Sequence, residues 1–72
     1  MYKDKINFKK REVEGYQKLI AEAMEKVAHL KKGGDSLDIL LEERRIIYFK
    51  GRIFDLERDI HRMEAGIPPK HF

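Results

Sequence analysis

The sequence predicts an all-α fold: an antiparallel helical hairpin of two long helices that dimerises into a four-helix bundle. Three observations carry this. Apolar residues recur in strict 3-4 alternation on both sides of one internal break. The break itself, Gly33-Gly34-Asp35-Ser36, is short. The second segment also carries more apolar side chains than one hairpin seam can use.

The first helix is expected over about residues 8–32 of a single 72-residue domain. Val13, Tyr16, Ile20, Ala23, Val27 and Leu30 form its seam, and Lys9 interrupts the extension of that seam back to Ile6. Lys31 and Lys32 stand where cations favour a helix C-terminus, and Gly33 can take the left-handed conformation that ends a helix. The turn is expected at 33–35. Asp35 or Ser36 can cap the second helix, and Asp38 adds negative charge to its first turn.

The second helix is expected over about 36–65. Its seam runs Ile46, Phe49, Ile53, Leu56, Ile60, Met63 and Ile67. Gly66 closes it and Pro68-Pro69 prevent a restart, leaving a tail at 66–72. A short turn makes the helices antiparallel neighbours. Folded so, Leu30 meets Ile39, Ala23 meets Ile46, Ile20 meets Phe49, Tyr16 meets Ile53, Val13 meets Leu56 and Ile6 meets Met63. Val27 opposite Glu42 is the one mismatched layer. The ends also meet, so Tyr2, Ile6 and Phe8 are expected to plug the open end near Met63, Ile67 and Phe72.

The apolar surplus lies at Leu37, Leu40, Leu41, Ile47 and Phe54, with Tyr48 beside them and Gly51 among them. A helix apolar nearly all round is buried nearly all round. Gly51 costs about 1 kcal/mol of helix propensity, which makes sense where another backbone comes close. A homodimer through 37–54 satisfies both features. A different protein seated on the same stripe is the competing occupant.

Size points the same way. A core this small rarely supplies more than about 3–5 kcal/mol, and the absence of cysteine removes disulfides and thiolate metal sites as supports. No apolar run approaches a membrane span and no signal-peptide pattern opens the chain, so a cytoplasmic protein is expected. Net charge is +3. The excess lies in an N-terminal arm of Lys3, Lys5, Lys9, Lys10 and Arg11 against Asp4, and the rest of the chain is close to balanced. Such an arm can contact phosphate or simply solvate the first turns.

The inventory for catalysis is poor. Ser36 is the only serine, at a helix cap, and there is no threonine. Neither a phosphate-binding loop nor a dinucleotide fingerprint is present. Glu25 with His29 and Glu57 with His61 each lie at i,i+4. Di-metal bundles use Glu-x-x-His at i,i+3 pointing inward, and exposed polar pairs explain the spacing found here. No enzyme activity, cofactor or metal is therefore expected. The richest polar stretch is the Arg44, Arg45, Tyr48 and Arg52 ridge, where guanidinium groups flank an aromatic ring. That chemistry suits carboxylates on a protein partner, phosphate or stacked bases.

The layout resembles plasmid-encoded helical-hairpin dimers that bind paired RNA loops, in architecture alone and with no shared motif. Small hairpin phosphatases of sporulation carry a Ser-Gln-Glu-Leu-Asp signature. The nearest string here, Asp35-Ser36-Leu37-Asp38, lacks the Gln-Glu, so that activity is not implied. The expected function is a small regulatory interaction protein that binds and modulates a protein partner through the open part of helix 2. The alternatives are a nucleic-acid-binding hairpin dimer using the basic arm and the ridge, and a structural assembly subunit. Size and charge suit a regulator of a phage or mobile element.

Overall fold

The computed structural model describes residues 2–68, and the expectations for Phe72 and for the tail from 69 onward lie outside them. Two helices account for nearly all of the rest: α1, Lys3–Leu30, and α2, Ser36–Glu64. They pack along their length as an antiparallel hairpin measuring 51 × 16 × 14 Å.

α1 begins five residues earlier than the expected boundary at 8. Lys9 does not stop it, because its ammonium reaches across to Asp59, with Nζ 3.7 Å from Oδ2. Tyr2 and Ile6, both half-buried, carry the inner face back to the start of the helix. The Ile6 N–H bonds to the Tyr2 carbonyl at 2.8 Å, closing the first turn without a side-chain cap. Asp4 lies in that turn, where negative charge meets the positive end of the helix dipole.

The end of α1 departs from expectation in kind. Gly33 does not adopt a left-handed conformation; the only positive φ among the described residues is at Gly66. Instead the last turn tightens. The Lys32 N–H bonds to the His29 carbonyl at 3.1 Å and the Gly33 N–H to the Leu30 carbonyl at 3.2 Å. Gly34 then folds back on Leu30. A Cβ on Gly34 would lie 2.9 Å from the Leu30 Cα and 2.9 Å from its carbonyl oxygen. The steric demand for glycine in this turn therefore sits at Gly34, while Gly33 faces open space.

Asp35 is the N-cap of α2, its Oδ1 accepting from the Leu37 N–H at 3.0 Å. At the other end the Gly66 N–H bonds to the Met63 carbonyl at 3.0 Å and the Ile67 N–H to the Arg62 carbonyl at 2.8 Å, with Gly66 at φ 76°. This paired 5→2 and 6→1 arrangement is a Schellman closure, and its left-handed residue is the one that needs glycine.

The core follows the two heptad seams. Ala23 and Val27 of α1 and Phe49, Leu56, Ile60 and Met63 of α2 are buried. Val13, Tyr16, Ile20, Leu30, Ile39, Ile46 and Ile53 are half-buried, as expected where two helices meet with no third to cover their flanks. One seam assignment and one end-plug assignment fail. Ile67 lies beyond the helix and is exposed, because the Schellman turn reverses the chain before it reaches α1. Phe8 does not plug the open end; it is 64% exposed, because it falls off the inner face of α1. Glu42, opposite Val27, is half-buried. Its Oε1 accepts from Arg45, and its Oε2 is covered with no hydrogen-bond partner among the described residues.

Candidate functional site

The site is the outer surface of α2, and helix periodicity divides it into two parts. With 3.6 residues per turn, Phe49, Leu56, Ile60 and Met63 set the face toward α1. Leu40, Ile47, Gly51 and Phe54 then fall on the opposite face. Leu37, Leu41 and Tyr48 widen it on one side. The six large side chains of this set are each 46 to 69% exposed, with Ile47 and Phe54 highest. A Cβ on Gly51 would meet nothing within 4 Å among the described residues, so α1 does not approach it. Arg58, pairing with Asp55 at 3.5 Å, closes the apolar run at its C-terminal end.

The second part is the flank between α2 and α1. The residues of the arginine ridge take different surroundings. Arg44 projects from the outer side of α2 and is exposed. Arg45 turns toward the flank, its Nη1 3.4 Å from Glu42 Oε1 and its guanidinium 5.7 Å from the Phe49 ring centroid. Arg52 is half-buried beside Tyr16. Hydrogen bonding to the Tyr16 hydroxyl is the main cause that raises the Arg52 pKa above its ordinary value. Tyr16 and Phe49 pack with ring centroids 5.7 Å apart, and Tyr48 meets Phe49 edge-on at 5.8 Å. Arg45 and Arg52 thus hold the aromatic cluster in place, while Arg44 and Tyr48 face outward.

The same flank carries a groove that the sequence does not announce. Phe8, Lys5 and Glu12 of α1 line it together with Arg52 and Leu56 of α2. Its one legible signal is that Phe8 falls off the Ile6–Val13–Ile20 spacing, which places the ring at the edge of the inner face.

The five basic residues of the N-terminal segment are part of α1 and point in several directions. Lys5 and Lys9 lie on the inner side, Lys3 and Lys10 a different side, and Arg11 a third. Lys9 is engaged with the buried Asp59, and Lys10 lies 3.8 Å from Glu64. Among the described residues no group of three or more acidic or histidine side chains is arranged to hold a metal. Among the described residues no helix is long and apolar enough to cross a membrane.

Comparison with protein-family models, with curated proteins and with solved structures finds no match for this chain.

Proposed function

We propose that this chain is a small non-enzymatic interaction protein. It pairs with a second copy through α2 into a four-helix assembly, and it binds and modulates a protein partner. One observation carries this reading: six large apolar side chains stand exposed on α2, on and beside the face turned away from α1. Contiguous apolar patches of this kind are uncommon on monomeric proteins and mark interaction surfaces. The partner would take what self-association leaves open, namely Tyr48 and the flank groove at Phe8 and Arg52. Arginine and tyrosine side by side are the residue types enriched at binding hot spots, and they favour a partner segment that mixes apolar side chains with carboxylates.

The nucleic-acid alternative has less behind it. A phosphate-binding surface needs cations gathered on one face. The five N-terminal cations are spread around α1, Lys9 and Lys10 are each engaged by a carboxylate, and Arg45 pairs with Glu42. Two experiments test the reading together. Anisotropy titration of labelled duplex DNA and an RNA hairpin at low salt is expected to show no binding. Co-purification from the source cells is expected to yield a stoichiometric protein partner that Tyr48→Ala with Phe8→Ala releases. Binding of nucleic acid with a steep salt slope would overturn the protein-partner reading in favour of phosphate recognition. A partner held equally by the double variant would overturn the assigned surface.

A further inference from the structure

The self-association proposed above leaves open how two copies meet, and the outer face of α2 is specific enough to decide it. We propose that two copies pack α2 against α2 in antiparallel orientation, with the two-fold axis passing beside Ile47. The α1 helices then lie outermost. The inference rests on the dimer reading and adds its geometry.

Area is the first argument. A standard stable interface takes roughly 800 Å² from each partner. The six exposed apolar side chains of α2 alone present on the order of 700 Å². One second copy is therefore enough to cover the surplus.

The stripe is also symmetric about its centre. Leu40 and Phe54 stand seven residues either side of Ile47. An antiparallel two-fold at Ile47 sets Leu40 against the Phe54 position of the second copy, and Ile47 against its own counterpart. On the same edge of the stripe, Arg44 falls within one residue, about 1.5 Å, of the level of Gly51 of the second copy. There the missing side chain, with nothing within 4 Å in the hairpin, leaves room for the arginine stem to cross. This gives Gly51 the close neighbour that the hairpin itself does not supply.

Charge separates this arrangement from a parallel one. In a parallel dimer every outer-face residue meets its own copy, so Arg44 would face Arg44 and Arg58 would face Arg58 across a drying interface. The Gly51 layer would be empty on both sides. In the antiparallel pair, like edges of the two helices meet. Glu43 and Lys50, both exposed and on one edge of α2, come together between copies twice, once on each side of the axis.

The chain has no cysteine, which makes the test direct. Ile47→Cys, Leu40→Cys and Phe54→Cys are made singly, all at exposed positions, and helicity is checked by circular dichroism. Under mild oxidation Ile47→Cys is expected to form a covalent dimer by itself. Leu40→Cys and Phe54→Cys are each expected to stay uncrosslinked alone, since the Leu40 pair and the Phe54 pair would be about 21 Å apart along the helices. Mixed together, those two are expected to crosslink. Glu43→Lys is expected to weaken dimerisation about three- to tenfold, and Glu43→Lys with Lys50→Glu to restore it. Efficient crosslinking of Leu40→Cys or Phe54→Cys alone would overturn the antiparallel geometry and assign a parallel one. A dimer by sedimentation in which Ile47→Cys does not crosslink would overturn the proposed face. A wild-type chain that sediments as a helical monomer would overturn the dimer reading itself.

Discussion

Lys9 and Asp59 form an ion pair across the helix–helix interface, with Nζ 3.7 Å from Oδ2 and side chains only 13% and 2% exposed. The pair sits at the one seam position where α1 offers a charge instead of an apolar residue. Removing one member of a buried pair costs more than replacing both, because the survivor stays desolvated. Lys9→Met is therefore expected to destabilise the hairpin by about 3 kcal/mol, and Lys9→Met with Asp59→Leu to recover most of that loss. Urea unfolding at one fixed protein concentration reads both, since self-association makes stability depend on concentration.

Phe49 is the centre of the apolar contact. It is buried, it touches Tyr16 and Tyr48, and Arg45 lies over its ring. Phe49→Ala is expected to cost about 3–5 kcal/mol, comparable to all that a core of this size supplies. The measurable outcome is loss of most helical circular dichroism at 25 °C. A helical Phe49→Ala chain with an unshifted melting temperature would mean that the core lies elsewhere.

The two glycines of the turn should behave oppositely. Gly34→Ala forces a Cβ onto the Leu30 backbone and is expected to destabilise by about 1–3 kcal/mol, as overpacking does. Gly33→Ala meets nothing, needs no positive φ, and is expected to stabilise by about 0.4–1 kcal/mol through the unfolded chain. Thermal melts of the two variants side by side give the comparison.

Gly66→Ala tests the closure of α2. The position holds φ 76°, where a Cβ costs about 1–2 kcal/mol. The expected result is a lower melting temperature with α2 frayed at Arg62 and Met63. Faster amide exchange confined to the last turn would locate it.

The hairpin was legible in the sequence because two independent heptad patterns agreed in register across a short turn. Lys9 pairs with Asp59 and Arg52 adjoins Tyr16, each one residue from the register the apolar spacing implies. What the spacing missed has physical causes. It ended the first helix's seam at Lys9, because a lysine there reads as a break when its partner Asp59 lies fifty residues away. It did not show the contact between the rings of Tyr16 and Phe49, which reach one turn along the interface to touch. It assigned the special glycine of the turn to Gly33, because propensity alone cannot distinguish adjacent glycines and only the backbone path does. The outer stripe was readable from Leu40, Ile47 and Phe54 at spacing seven. The division of labour within the arginine ridge was not, since it depends on where Glu42, Tyr16 and Phe49 stand in space.

The central claim is that the outer face of α2 is an interface between copies, and sedimentation equilibrium of the wild type beside Ile47→Glu tests it most directly. The account predicts a wild-type dimer at micromolar concentration and a monomer for Ile47→Glu. A wild-type chain that remains monomeric and fully helical across that range would contradict it.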